Sequence, residues 1–399
     1  MAMGFSLAYN LLQIMEEQLK YDVAIIGGGL AGLSLSIQLA KKNYSVILFE
    51  KEKYPFHKVC GEYISMESWN FLEKLGVPLS NLNLPIIDTL NLTSPNGNSF
   101  ETKLPLGGFG ISRYKLDNLL AILAKESGAQ ILQETKVDDV RFDDNKFFIQ
   151  YFSKKSEGVK QIEAVVCCGA YGKRSNVDIK WNREFISKKN PRIDNYVAVK
   201  YHIKTNWPAT VIGLHNFSNG YCGISQIEEH KFCLCYLTTA ENLKKSGNSI
   251  RQMQETTLYK NPVLKNIFSS SEFILQSPVT ISQISFAKKS VVENNLLMLG
   301  DAAGMITPLC GNGMSMALHS SKMAAALIDL FLSKKIDRVK MENQYRQVWK
   351  SEFSNRLFTG RILQSFFGSV LLSNLFVWGF KVFPFLAKNI IKKTHGKSF

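Results

Sequence analysis

Gly27, Gly29 and Gly32 stand in G-x-G-x-x-G spacing, between an apolar β-branched run, Val23 to Ile26, and a helical pattern that starts at Leu30. A buried strand that runs into a glycine turn and then a helix is the context in which this spacing holds a pyrophosphate. The first glycine makes the tight turn, the second lets the phosphates approach the backbone, and the third lets the helix pack on the strand. Leu30 and Ala31 open the helix, where unpaired N–H groups and the positive end of the dipole face an anion. A second apolar strand, Val46 to Phe49, leads to Glu50 and Lys51, about 20 residues beyond the glycines. A carboxylate there accepts from both ribose hydroxyls of an adenosine and repels a 2′-phosphate. The expected ligand is a dinucleotide without that phosphate.

Later in the chain an apolar strand, Leu296 to Leu299, runs into Gly300 and Asp301, whose carboxylate suits sugar-alcohol hydroxyls. A loop with Pro308 follows, and then Gly311, Asn312, Gly313 and Met314 bring backbone N–H groups at a helix start against a partial negative charge. Cys60 and His57 invite a nucleophile reading, but no orienting third group accompanies them, so a structural or ligand-adjacent place is expected. Glu228 and Glu229 are neighbours on an expected strand, point to opposite faces and make a poor catalytic pair. His319 is expected as an ordinary packed or exposed helix residue.

These residues need an α/β frame. The helix from Leu30 reads to Lys42, with Asn43 taking the left-handed C-cap conformation. Tyr54 to Glu62 reads as a loop above the carboxyl end of the sheet, and Met66 to Leu75 as a helix closed by Gly76. From Leu84 to Phe109 the pattern is β, with a turn at Pro95-Asn96-Gly97. A helix starts at Arg113 and runs to Gly128; Ile131 to Val140, Lys146 to Phe152 and Glu163 to Cys168 read as strands. Residues 180 to 280 lose the strand–helix alternation and read as an antiparallel sheet inserted into the nucleotide domain, where a substrate would be enclosed. The expected fold is therefore a Rossmann-type domain built from 21–80, 110–180 and 285–335. A β substrate domain comes from 81–109 and 181–284, and 336–399 forms a helical appendage.

Lys and Arg number 48 against 33 Asp and Glu, a net charge of +15. No nucleic-acid reader motif accompanies it, and much of the excess lies near the C-terminus, so an anionic membrane surface explains it better. The seven cysteines lack metal-ligand spacing, and with no secretion signal a reduced, cytoplasmic location is expected. Residues 1–20 form an N-terminal extension; a start assigned ahead of Met15 accounts for the first of them, with a short amphipathic helix as the alternative.

The GGGLAG unit with Glu50 and the GDAAGMITPLCGNG stretch, in this order, resemble the FAD-dependent hydroxylase and geranylgeranyl-reductase superfamily over about residues 21 to 335. The resemblance implies FAD, with a fold like glutathione reductase and p-hydroxybenzoate hydroxylase. It places Glu50 at the adenosine ribose, Val137 at adenine through its backbone, Arg113 beside the flavin and Asp301 on the ribityl chain. Gly311 to Met314 would lie along the flavin ring. The hydroxylases resemble GDAAH followed by two prolines, whereas this chain has Gly304 and a single Pro308. The Lys58-Val59-Cys60-Gly61-Glu62 segment and Ala324-Ala325 are similar to prenyl reductases. Reduction of a carbon–carbon double bond in an isoprenoid- or polyene-like substrate is thus the leading expectation. The alternatives are a monooxygenase acting on an aromatic or polyketide substrate and a flavin electron-transfer protein. Tyr171 stands where the middle motif Ala-Asp-Gly carries its acid, so the reductant is left as NAD(P)H, another reductant or an electron-donor protein. Cys60 and Tyr221 are candidate proton donors by position.

From Phe353 to Phe399 there is no acid, while Arg356, Arg361, Lys381, Lys388, Lys392, Lys393 and Lys397 are basic. Phe358, Ile362, Phe366 and Val370 recur at helical spacing beside Leu363, Phe367 and Leu371, giving a broad apolar stripe. Polar residues interrupt it, so an interfacial segment is expected rather than a spanning one, with packing over the substrate domain as the alternative.

Overall fold

The computed structural model describes residues 19–154, 158–188, 195–307, 311–366, 369–394 and 396–399. Five parallel strands form the centre of the first sheet, in the order Leu296–Met298, Lys160–Gly169, Lys20–Ile26, Val46–Phe49 and Gln130–Leu132. Val23 to Ile26 and Val46 to Phe49 are buried without alternation, as strands covered on both faces must be. Each Val, Ile, Leu or Phe among them contributes about 1.5–3 kcal/mol on burial. In register, Ile26 lies beside both Phe49 and Gly169, and Gly169 beside Met298. That alignment carries Gly27, Glu50, Ala170 and Gly300 to one carboxyl edge. Helices Leu30–Ala40 and Gly313–Leu332 pack together across the sheet, joined by a 2.6 Å hydrogen bond between Ser34 and Ser321.

The first of these helices ends at Ala40 rather than Lys42, and Asn43 does take the left-handed conformation, with φ of 64°. The expected single strand from Ile131 to Val140 is two. Glu134, at φ 56°, turns the chain after Leu132, and Thr135–Asp143 pairs instead with Lys146–Ser153 in an antiparallel hairpin.

A second sheet of nine strands takes Tyr63–Ser65, Ile86–Thr93 and Ser99–Gly110 together with the strand-rich region. It is not purely antiparallel, because Val211–Phe217 runs parallel to Ile86–Thr93. Three helices, Ala240–Lys245, Ile250–Thr256 and Pro262–Ser270, interrupt the expected run of strands. Their apolar sides cover one sheet face through Val199, Tyr201, Ile224, Leu234 and Tyr236. Pairing puts Lys200, His202, Tyr221, Gly223, Cys233, Cys235 and Leu214 on the other face, which turns toward the first sheet's carboxyl edge. Helices Arg338–Phe366, Val370–Val382 and Pro384–Thr394 end the chain.

Candidate functional site

Gly27 has φ of +107°, and a Cβ there would lie 2.5 Å from the Ala170 carbonyl oxygen. At Gly32 a Cβ would lie 2.0 Å from the Gly27 carbonyl oxygen, so turn and helix touch only because both are glycine. Gly29 differs: the nearest atoms to a Cβ are the ends of Arg113, at 3.7 Å, and Lys58, at 4.0 Å. The turn therefore opens toward two cations. Gly29 offers no side-chain cap to Leu30–Ala40, which leaves the first N–H groups, those of Leu30 and Ala31 among them, directed at that opening. Glu50 is buried and accepts from Gly28 N–H at 2.9 Å and Glu52 N–H at 3.0 Å. A carboxylate has about four acceptor sites, so two remain for a pair of hydroxyls. Lys51 beside it is exposed and reaches Glu52 at 3.9 Å. Val137 is buried at the irregularity of its hairpin, two residues past Thr135, whose N–H donates to the Glu50 carbonyl.

Arg113 opens its helix and binds Asp117 with two hydrogen bonds, at 2.7 and 2.8 Å, while Lys58 reaches the same carboxylate at 3.0 Å. Burial raises the Asp117 pKa, but Arg113 and Lys58 outweigh it and hold the group below its usual range. Glu228 accepts from Ser112 N–H at 2.8 Å and so fixes the start of this helix. Glu228 and Glu229 lie on a turn after Gly220–Gln226, not on a strand, and Glu229 pairs outward with Lys231.

Gly300, at φ +55°, lets the strand exit pass close to Ala31 and Ala317. Burial raises the Asp301 pKa, against the pull of Lys289 and Arg113. Lys289 donates to the Asp301 and Lys173 carbonyls, each at 2.7 Å. Tyr171 donates to Asp178 at 2.9 Å, and buried Arg183 binds Asp178 at 2.7 Å and the Ala302 carbonyl at 3.3 Å. An acid thus reaches Tyr171 from seven residues downstream, where it serves to brace the loop rather than to face solvent. Asn312 provides no side-chain cap for Gly313–Leu332; its side-chain N–H donates to the Thr394 carbonyl. Gly311 is left-handed and packs on Tyr63, and Met314 is buried. Pro308 lies outside the described residues.

A family profile described as the FAD binding domain matches residues 20–333. The chain belongs to this FAD-binding family. The protein is similar to Digeranylgeranylglycerophospholipid reductase 1 of Methanosphaera stadtmanae, at 26% identity over 74% of this chain and 72% of the relative. It is also 25% identical to Conditioned medium factor receptor 1 of Dictyostelium discoideum, over 95% of this chain and 75% of the relative. Among solved structures, the flavin-dependent brominase Bmp2 matches with a TM-score of 0.76 at 20% identity, over 94% of this chain and 93% of that one. The protein is an FAD-dependent oxidoreductase. The open cationic turn, the two acceptor sites left on Glu50 and the uncapped second helix fit FAD. Gly27 to Gly32 with Lys58 would hold its pyrophosphate, Glu50 its ribose, Asp301 its ribityl hydroxyls, and Gly311 to Met314 its ring.

Beside the loop Tyr54 to Glu62 of this FAD-binding protein lies a charged cluster that the sequence did not reveal. Glu62 is fully buried and binds Lys200 and His202, each at 2.6 Å, and accepts the Arg113 N–H at 2.9 Å. The alternation of Lys200 and His202 on a strand is the signal that would have placed them on one face. Glu62, His202 and Cys233 could enclose a metal, but the Lys200 ammonium already supplies the cation. Burial raises the Cys60 pKa, and its carbonyl accepts from Cys233 at 3.2 Å. His57 stacks on Tyr114 at 4.7 Å and meets His202 edge-on, and no hydrogen bond joins it to Cys60 among the described residues. Tyr221 is buried on the face of the second sheet that carries Lys200 and His202. His319 stacks on Phe399 at 4.2 Å, a packed residue with its pKa pushed down to about 4 by burial.

Proposed function

We propose that the protein reduces a carbon–carbon double bond in a long apolar, isoprenoid- or polyene-like substrate. The observation that carries this reading is an apolar slot between the second sheet and the C-terminal helices, lined by Leu90, Leu92, Leu214, Phe376 and Ile391 and ending at Gly311. Its volume is about 90 Å³. Apart from Tyr63 and Thr394 its lining is wholly apolar, which suits a hydrocarbon chain better than a ring substrate with polar substituents. The reductase named among the relatives supports the same reading.

When bound, FAD supplies the two-electron chemistry at its ring. The chain's residues orient, shield and protonate. Backbone N–H groups at the start of Gly313–Leu332, which no side chain caps, would stabilise negative charge on the ring. Cys60, kept as a neutral thiol by burial, is the proposed proton donor to the substrate carbon, with Tyr221 as the second candidate. NAD(P)H or an electron-donor protein would restore the cofactor.

The test is anaerobic incubation of the FAD-loaded, dithionite-reduced protein with a geranylgeranyl lipid, followed by mass analysis. A gain of two hydrogens per double bond is expected. An unchanged lipid, together with oxygen-dependent modification of an aromatic substrate, would replace this reading with oxygenation.

A further inference from the structure

The helix Val370–Val382 carries apolar residues on both its inward and its outward side, with only Ser373, Asn374 and Lys381 polar. Its inward residues Ser373, Val377 and Phe380 are buried against the protein. Its outward residues Leu371, Leu375, Trp378 and Val382 keep helical spacing, yet Leu371 is 76% exposed and Leu375 and Trp378 are each 58% exposed. A helix apolar on both sides needs cover on both. At Phe383 the chain bends by 109° into Pro384–Thr394, and Phe383, Phe385 and Leu386 are exposed around the bend. Half of the large apolar side chains exposed among the described residues fall between Phe358 and Leu386, a concentration on the last helices rather than single residues scattered over the surface.

Charge identifies the cover. No acid occurs from Phe353 onward, and Lys381, Lys388, Lys392 and Lys393 are exposed around the patch. A second copy would bring two lysine-rich faces together, whereas an anionic surface attracts both. Trp378 beside lysines is the composition of a membrane interface. Among the described residues no single helix is long and apolar enough to cross a membrane; Val370–Val382 and Pro384–Thr394 reach that length and composition only together, and their 109° bend with Lys388, Lys392 and Lys393 on the second arm suits a helix pair lying in the interface.

We propose that this face is a monotopic docking surface for an anionic lipid bilayer, and that substrate enters laterally from the leaflet. A groove of about 270 Å³, lined by Phe366, Leu372, Leu375 and Leu386, opens within the patch. It shares Phe376, Phe380 and Ile390 with the slot that ends at Gly311. The docking surface stands without the reductase reading, and only the loading route rests on it.

Flotation of the FAD-loaded protein with phosphatidylcholine vesicles, with and without phosphatidylglycerol, tests the surface. Binding is expected only with the anionic lipid and should weaken as salt rises. Replacing Lys388, Lys392 and Lys393 together by Gln should weaken it about 100-fold, from three lost surface charges. Replacing Leu371, Trp378 and Phe385 together by Asn should abolish it. Both variants should retain FAD and their activity on detergent-dispersed substrate. The wild type failing to float, or assembling into a dimer that the Asn variant dissolves, would overturn the proposal. Floating protein that leaves every polyprenyl lipid unreduced would overturn the loading route and the reductase reading, while the docking surface would stand.

Discussion

We propose that Glu50 recognises the adenosine half, because its carboxylate accepts from Gly28 and Glu52 and keeps acceptor capacity for ribose. Glu50→Gln should lower FAD affinity about 10- to 100-fold, the loss of one or more charged hydrogen bonds at ~1.5–3 kcal/mol each. Equilibrium titration of the apoprotein with FAD checks this, and far-ultraviolet circular dichroism should be unchanged. Cys60→Ala should slow substrate reduction about 100-fold, a general acid's share, without changing FAD content or the rate of flavin reduction by dithionite. An unaltered single-turnover rate would remove Cys60 from the reaction. The glycines were legible because backbone geometry restricts which residues can stand there, and Glu50 because it follows the second apolar strand at a set distance from them. Tyr54, which donates to the Gly28 carbonyl at 2.5 Å, was not, because nothing local ties its hydroxyl to a residue 26 positions away.

The loop Tyr54 to Glu62 and the strand Tyr196–Lys204 are held together by Glu62, which no single-segment pattern reveals. Burial raises the Glu62 pKa, but its bonds with His202 and Lys200 outweigh this and leave it lowered. Burial lowers the Lys200 pKa, and Glu62 more than restores it. Glu62's contribution to stability is therefore present above the ordinary glutamate range and lost as pH falls through the lowered value. That of Lys200 is present below the ordinary lysine range and lost only as pH rises through its raised value. Glu62→Gln leaves the Lys200 charge buried without its carboxylate and should cost about 3–5 kcal/mol. Urea unfolding should show this difference unchanged across neutral pH and shrinking in acid. On the opposite side of the site, Leu214→Trp should fill the apolar slot. Reduction of long-chain substrate should fall about 5- to 150-fold, given ~1–3 kcal/mol for an overpacked site, with FAD content preserved. The central strands Lys20–Ile26 and Val46–Phe49 were readable from their unbroken apolar runs, which mark strands covered on both faces. The helices of 240–270 were hidden because each is short, although Asn261 before Pro262 is an N-terminal signal.

At the scale of the whole molecule, two sheets and a helical cover meet around one edge, and the cover brings the apolar slot to Gly311. The nucleotide half could be read from sequence because its motif, strand order and ligand are coupled by geometry. The substrate half could not, because its walls come from Ile86–Thr93, Val211–Phe217 and the last helices, segments far apart in sequence that share no motif. The likeness of the overall fold to a brominase shows why topology alone does not select the reaction. The direct measurement is rapid mixing of the anaerobically reduced, FAD-loaded protein with a polyprenyl lipid or with oxygen, followed through flavin absorbance. The account predicts fast reoxidation by the lipid and slow reoxidation by oxygen; a flavin that stays reduced with the lipid but reacts rapidly with oxygen in the presence of an aromatic substrate would contradict it.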